Sequence, residues 1–146
     1  MKVLLPEGAA PSADPVFDIL TKYKTIAVVG LSSNPARPSY GVTEYMQSAG
    51  YQIIPVNPNE TDVLGEPSYA SLEEVPRKIE IVDIFRCADQ VPPVVDAAIR
   101  AGAKVIWMQL GIANQAAAEK AQAAGLTVVM DACILVEHKK RRQNQA

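Results

Sequence analysis

Aromatic residues and cysteines are scarce in this 146-residue chain, and long apolar runs are missing from it. Its two cysteines, Cys87 and Cys133, lie far apart and outside any CxxC spacing, which argues against a disulfide scaffold and a zinc site. No stretch reaches the ~18 apolar residues of a membrane span, and residues 1–13 lack the apolar segment of a signal peptide. We therefore expect a cytoplasmic protein of bacterial type, with a core of Val, Ile, Leu and Ala.

The chain also lacks an excess of charge of one sign, because 14 basic residues stand against 16 acidic ones. The net charge of -2 offers no broad positive field to nucleic acid or to an anionic membrane, so neither is an expected partner. With 49% hydrophobic residues the composition is that of a globular protein, and the length fits one domain. We expect a core over residues 14–138 and a polar, basic tail over 139–146, in which residues 139–142 form a solvated helix end.

The motifs of several catalytic and nucleotide-binding sites are absent. The chain contains no GxGxxG dinucleotide fingerprint, no P-loop and no GxSxG nucleophile elbow. Its single histidine, His138, stands apart from other metal-ligand types, and we expect it to be solvated or to cap a helix. Neither cysteine has a base beside it in the sequence that would activate the thiol. These absences predict a protein without catalytic residues or a metal site.

What the chain does contain is a regular alternation of short β-branched runs and helical segments. The predicted strands are residues 25–30, 51–57, 79–85, 104–109 and 126–131, and the predicted helices are residues 14–23, 40–49, 71–75, 92–101 and 114–124. Three of these helices end just before Gly50, Gly102 and Gly125, where a helix C-cap favours positive φ. Nearly continuous apolar runs are typical of parallel strands covered on both faces. The pattern predicts an α/β, three-layer Rossmann-like fold with a doubly wound parallel sheet of about five to six strands.

In such a sheet, ligands bind beyond the carboxyl ends of the strands, so the segment after the first strand carries the main prediction. Gly30 permits a sharp turn there, and Arg37 supplies a guanidinium close to a helix N-terminus. Exposed N–H groups, small hydroxyls and an arginine together suit a phosphate. The candidate residues in this segment are Gly30, Ser32, Ser33, Asn34, Arg37, Ser39 and Tyr40. The alternative is a proline-rich connection that only caps the helix.

Candidate residues also follow the other strands. Asn57 and Pro58 end the second strand, where NAD sites place an acidic residue, and they suit a fixed wall for an adenine or a rigid turn without a ligand. Phe85 ends the next predicted strand and Arg86 follows it, so Arg86 brings a second cation to the same edge, while Phe85 is either core or pocket wall. The last two candidates, Gln109 and Gly111, either hydrogen-bond a ligand or form the turn into a helix.

Taken together, these segments resemble the small single-domain CoA-binding proteins of bacteria and archaea, whose fold matches the N-terminal CoA-binding domain of the succinyl-CoA synthetase α subunit. The resemblance covers about residues 14–138. It is carried by VGLS at 29–32, NPARPSY at 34–40, IPVNP at 54–58, VDIFR at 82–86, AGAK at 101–104, WMQLG at 107–111, DAC at 131–133 and EH at 137–138.

The resemblance implies a domain that holds CoA or acyl-CoA, with adenine near the turn after the second strand. It implies a pyrophosphate around Ser32, Ser33 and Asn34, with help from Arg37, Ser39 and Tyr40, and a pocket lined by Phe85 and Arg86. Compared with the synthetase domain, this chain lacks the second Gly-rich part of the first loop. The synthetase's phospho-histidine belongs to its second domain, so His138 does not correspond to it.

Three functions therefore stand open on the sequence. The leading one is a CoA-binding protein without chemistry of its own. The second is an NAD(P)-binding oxidoreductase fragment, against which the absent GxGxxG motif and the uncharged Asn57 both count. The third is a regulatory or interaction subunit that uses the CoA site as a sensor or lends it to a partner enzyme. The acyl group, the protein partner and the oligomeric state cannot be read from the sequence.

Overall fold

The computed structural model describes residues 1–143, in which strands and helices alternate along most of the chain. The strands are β1 (Lys2–Leu4), β2 (Thr25–Val29), β3 (Gln52–Val56), β4 (Asp62–Val63), β5 (Glu66–Pro67), β6 (Ile81–Ile84), β7 (Val105–Met108) and β8 (Thr127–Met130). The α-helices are α1 (Pro15–Lys22), α2 (Pro38–Ser48), α3 (Val91–Arg100), α4 (Gln115–Ala123) and α5 (Ile134–Gln143), and short 3-10 turns cover Leu72–Glu74 and Ala88–Gln90. None of the helices in this part of the chain has the length and apolar content needed to span a membrane.

Six strands form one sheet in the order β1-β8-β7-β6-β2-β3. The five strands from β2 to β8 that belong to this sheet run parallel, and β1 pairs antiparallel with β8 at one edge. Numbered along the chain, the parallel strands have the order 2-1-3-4-5, which places the topological switch point between β2 and β6. The predicted doubly wound α/β sheet is thus confirmed. The edge strand β1 and the β4–β5 hairpin were not predicted.

Helices cover both faces of the sheet, as the continuous apolar runs predicted. On β6 all four residues are buried, and alternate side chains enter different layers. Val82 and Ile84 pack with the layer that contains α3 and α4, whereas Ile81 packs with the layer of α1, α2 and α5. The largest buried side chain, Trp107, lies in the second layer, where its indole N–H donates to the Ala132 carbonyl at 2.9 Å.

The helix ends follow their sequence signals. Asp14 caps α1 by accepting from the Phe17 N–H at 3.1 Å, and Asn114 caps α4 by accepting from the Ala117 N–H at 3.0 Å. The glycines after α2, α3 and α4 all have positive φ, as their position before a strand predicted.

Beyond β3, the outer edge of the sheet is covered by the chain that follows the β4–β5 hairpin. The Tyr69 N–H donates to the Pro55 carbonyl at 3.1 Å, and the Asn57 N–H donates to the Tyr69 carbonyl at 2.8 Å. On the opposite side of the same strand, the Gly30 N–H donates to the Val56 carbonyl at 2.9 Å. Tyr69 therefore forms a single parallel bridge with Val56 at this edge of the sheet.

The basic run near the C-terminus forms a helix end in which Lys139, Lys140 and Arg142 are exposed, as predicted, whereas Arg141 is packed. Residues 139–143 continue α5, and the Arg141 side chain is only 15% exposed because its guanidinium contacts Asp14 at 3.0 Å and Glu137 at 2.9 Å. His138 is also packed rather than solvated. Its Nδ1 lies 2.8 Å from the Tyr45 hydroxyl. Residues 144–146 of the predicted tail lie outside the described residues.

Candidate functional site

The switch point forms a crevice at the carboxyl edge of the sheet, because β2 leads to α2 on one face and β6 leads towards α3 on the other. The two connections touch at Gly30. A Cβ on this residue would lie 2.5 Å from the Phe85 carbonyl oxygen and 3.4 Å from the Arg86 Nε, and its φ is 90°. Glycine at this position lets the two connections approach each other closely and closes the floor of the crevice.

The crevice contains a cavity of about 650 Å³, a volume typical of small-molecule sites. Its lining includes Gly30, Ser32, Arg37, Ser39, Asn57, Phe85, Arg86 and Gly111, which were all predicted from the sequence. The lining also includes Pro38, Asn59, Glu60, Cys87, Ala88 and Ile112, which were not predicted. The structure therefore brings eight of the thirteen candidate residues together, from four separate segments of the chain.

The first loop, residues 30–37, is held by hydrogen bonds from its own amides. The Ser32 N–H donates to the Ser39 hydroxyl at 3.0 Å, and the Asn34 N–H donates to the Ser32 hydroxyl at 3.0 Å. Between them, the Ser33 N–H donates to a Glu60 carboxylate oxygen at 2.7 Å. The amides expected to be free for a phosphate thus already have acceptors within the protein. Ser33 and Asn34 lie outside the cavity lining, and the Asn34 side chain caps the Ala36 N–H at 2.9 Å.

Two arginines provide the positive charge of the cavity. Arg37 is exposed at the start of α2, and Arg86 is half-buried after β6. Within residues 1–143, neither guanidinium takes part in a salt bridge, whereas Arg100 and Arg141 are both paired with carboxylates. The charge of Arg37 and Arg86 is therefore available to an anionic ligand.

Asn57 connects the first loop to the hairpin loop, residues 57–69. Its side-chain Nδ2 donates to the Leu31 carbonyl at 3.0 Å, while its Oδ1 accepts from the Asn59 N–H at 3.0 Å. The Ser68 hydroxyl donates to its carbonyl at 3.1 Å. Asn57 lines the cavity, but both ends of its side-chain amide are used to fix the two loops against each other.

Pro58 lies outside the main cavity and lines an adjoining groove of about 360 Å³. Val29, Val56 and Val94 give this groove apolar walls. Arg86 lines both the groove and the main cavity, so the two spaces meet at its side chain. The turn after β3 therefore contributes to both spaces, with Asn57 lining the main cavity and Pro58 lining the groove.

Gln109 and Tyr40 are the remaining candidates that the cavity lining does not include. Gln109 is buried, and its Nε2 donates to the carboxylate of Asp83 at 2.6 Å. Tyr40 lies in the first turn of α2, where it is partly buried against the core. Asp83 is itself 2% exposed, and burial raises the pKa of its carboxyl to about 7, although the Gln109 hydrogen bond acts in the opposite direction.

Glu60 and Cys87 are the chemically distinctive residues of the cavity that sequence reasoning missed. Cys87 follows Arg86 directly, so its position at the strand end was a usable signal. Glu60 reaches the first loop across 27 residues of chain, and no local pattern in the sequence indicates that contact. Among the described residues, no group of three or more acidic, histidine or cysteine side chains forms a candidate metal site.

Comparison with known proteins places this chain in a family. The family model described as CoA binding domain matches residues 24–139. An uncharacterized protein of Bacillus subtilis, YneT, is 44% identical over 128 residues, which are 88% of this chain and 95% of that protein. A solved structure of a hypothetical protein from Pyrococcus horikoshii is 39% identical, with a TM-score of 0.85 over 96% of this chain and 98% of that one.

A more distant similarity extends to part of a much larger protein. The ADP-forming acetate–CoA ligase II of Archaeoglobus fulgidus is 29% identical over 83 residues, which are 56% of this chain and 12% of that protein. These matches confirm the resemblance that the strand-end motifs indicated. Since the family model covers most of the chain and YneT matches over nearly its full length, the chain belongs to the CoA binding domain family.

Proposed function

We propose that this protein binds coenzyme A or an acyl-CoA in the crevice and has no catalytic apparatus of its own. The observation that carries the proposal is the pair of arginines, Arg37 and Arg86, which line one cavity at the switch point without a carboxylate partner among residues 1–143. CoA carries a pyrophosphate and a 3′-phosphate, so it needs cations of this kind. Membership of the CoA binding domain family supports the choice of ligand.

The adjoining groove suits the adenine end of such a ligand. Its walls at Val29, Val56 and Pro58 are apolar and rigid, which favours the flat face of a purine. Arg86 lies between groove and cavity, so a nucleotide with its base in the groove has its phosphates beside that guanidinium. Another cavity of about 440 Å³ is lined by Glu7 and Glu119 and by no basic residue, and it does not suit an anion.

The expected affinity is micromolar. A charge-assisted hydrogen bond contributes about 1.5–3 kcal/mol, with less at the exposed Arg37 because solvent screens it. Two such contacts and the burial of adenine correspond to about -8 kcal/mol after the cost of association.

Calorimetric titration of the purified protein with CoA and with NAD tests the proposal. We expect micromolar binding of CoA and no heat of binding with NAD. Arg86→Ala should weaken CoA binding about tenfold, and Arg37→Ala several-fold, because each removes a phosphate contact. Arg77→Ala is the matched control, since Arg77 is exposed and lies outside the cavity.

Binding of NAD with no response to CoA would overturn the proposal and favour the oxidoreductase alternative. Equal CoA affinity in the Arg37, Arg86 and Arg77 variants would show that CoA does not bind in this cavity. The melting temperature of each variant without ligand is measured in parallel, so that a loss of folding is not mistaken for a loss of binding.

A further inference from the structure

Glu60 lines the proposed ligand cavity, and its carboxylate contacts the amide of Ser33, a first-loop residue outside the lining. Its Oε2 accepts from the Ser33 N–H at 2.7 Å, a length typical of a charge-assisted hydrogen bond. The neighbouring amides of Ser32 and Asn34 donate to neutral hydroxyls from residues 32–39 of the chain. The acceptor of the Ser33 amide is thus distinct in two ways, since it is an anion and it comes from another loop.

The hairpin loop holds Glu60 in this position. The Glu60 N–H donates to the Asn57 carbonyl at 3.2 Å, and the Asn57 side chain is fixed to the Leu31 carbonyl at 3.0 Å. Arg37 and Arg86 line the same cavity, yet neither forms a salt bridge with Glu60 in the described part of the chain. The carboxylate therefore binds backbone in preference to the two free cations.

A carboxylate and a phosphate use the same interactions with a backbone amide, because both are anionic oxygen acceptors. We propose that Glu60 occupies the place of a ligand phosphate on the Ser33 amide, so that a phosphorylated ligand must displace it, and that its charge lowers the affinity of the cavity for such ligands. This inference deepens the proposed CoA site and rests on it for the choice of natural ligand.

The displacement requires little rearrangement of the fold. Ser32 and Asn34 keep their hydroxyl acceptors, so the loop retains its shape while the Glu60 side chain alone turns away. A bound phosphate and an undisplaced Glu60 would place like charges close together in a partly solvated cavity, which is unfavourable. Glu60 thus acts as an internal competitor of the ligand phosphate for the Ser33 amide.

The test compares the wild-type protein with Glu60→Ala, Glu60→Gln and Asp62→Asn. Asp62→Asn is the matched control, because Asp62 is exposed in the same hairpin, lies outside the cavity lining and changes the net charge equally. We expect Glu60→Ala to bind CoA about 3- to 10-fold more tightly than wild type, the size expected for removal of one partly screened like charge. Glu60→Gln should lie between, since its amide oxygen still accepts from Ser33 without the charge.

A second readout, the ¹H–¹⁵N signal of the Ser33 amide, does not depend on CoA. Inorganic pyrophosphate should shift this signal in Glu60→Ala at a lower concentration than in wild type, while Asp62→Asn should follow wild type. If none of the proteins binds CoA, the proposed function fails, and the pyrophosphate titration still decides the role of Glu60.

Three results would overturn the inference. The first is weaker or unchanged anion binding in Glu60→Ala, which would make Glu60 a ligand contact or a bystander. The second is an equal gain in Asp62→Asn, which would reflect net charge alone. The third is a Ser33 signal that pyrophosphate leaves unmoved in Glu60→Ala.

Discussion

Two features of the backbone require glycine at position 30, at the end of β2. Its φ of 90° lies in the left-handed region, and its Cα faces the backbone of the connection that follows β6, with 2.5 Å from an added Cβ to the Phe85 carbonyl oxygen. The obstacle is backbone rather than the far end of a flexible side chain, so it cannot move aside cheaply. The floor of the proposed site therefore depends on the absence of a side chain.

Gly30→Ala should lower the free energy of unfolding by about 2–4 kcal/mol, because it adds a steric overlap to the cost of positive φ. Gly102→Ala is the control, since Gly102 also has positive φ, at 77°, but no atom within 4 Å of an added Cβ. That variant should lose only about 1–2 kcal/mol. Urea unfolding at one pH gives both values. Equal losses would show that the contact with Phe85 has no energetic effect.

The five parallel strands were predictable because each is a short, continuous apolar run whose burial on both faces follows from its composition alone. The other three strands were not predicted. The strand β1 is three residues long, and its pairing of Lys2 with Met130 spans almost the whole chain. The strands β4 and β5 have two residues each, so they contain no measurable period.

The site likewise contains residues that sequence patterns predict and residues that they do not. Gly30, Phe85 and Arg86 follow strands directly, so the carboxyl-edge rule predicts their place in the cavity. Glu60 reaches the cavity through the fold of a long loop, and Gln109 is drawn away from it by Asp83. Both positions depend on contacts between distant segments, which single-sequence patterns do not encode.

At the scale of elements, α5 is joined to the start of α1 by Arg141. Its guanidinium contacts Asp14, the N-cap of α1, and Glu137, which is 7% exposed. Arg141→Met should lower the free energy of unfolding by about 1–3 kcal/mol, since it leaves the Glu137 carboxylate with its main partner removed. Arg142→Met, one position later and exposed, should change it by less than about 0.5 kcal/mol.

Chemical unfolding in low and moderate salt measures this pair of variants. The loss in Arg141→Met should persist at moderate salt, because the ion pair is shielded from solvent. A loss no larger than that of Arg142→Met would mean that the connection between the two helices contributes no stability.

For the molecule as a whole, Asp83 links stability to pH. Burial raises the pKa of its carboxyl to about 7 in the folded protein, whereas the unfolded chain releases this proton near its ordinary value of 3.8. Between these values the folded state holds the extra proton, so the free energy of unfolding falls as the pH rises from about 4 to about 7. The cost of ionising Asp83 in the fold reaches up to about 4 kcal/mol above that range.

Asp83→Asn should remove this dependence. The variant should gain stability relative to wild type as the pH rises through that window, with the Gln109 amide reoriented to pair with the new side chain. Asp89→Asn, at an exposed position, should follow wild type at every pH. Unfolding free energies measured from pH 4.5 to pH 8 provide the comparison. Parallel curves for wild type and Asp83→Asn would contradict the assignment.

The edges of the sheet bear on how copies of the protein can associate. In β3, the carbonyl of Pro55 faces away from β2 and accepts from Tyr69, so the N–H that proline lacks would have faced the same way. A strand from a second chain could not pair with β3 at this position, because Pro55 has no N–H to donate and its carbonyl already accepts from Tyr69. The opposite edge ends in β1, which is three residues long. Both edges of the sheet thus disfavour growth into filaments by strand addition.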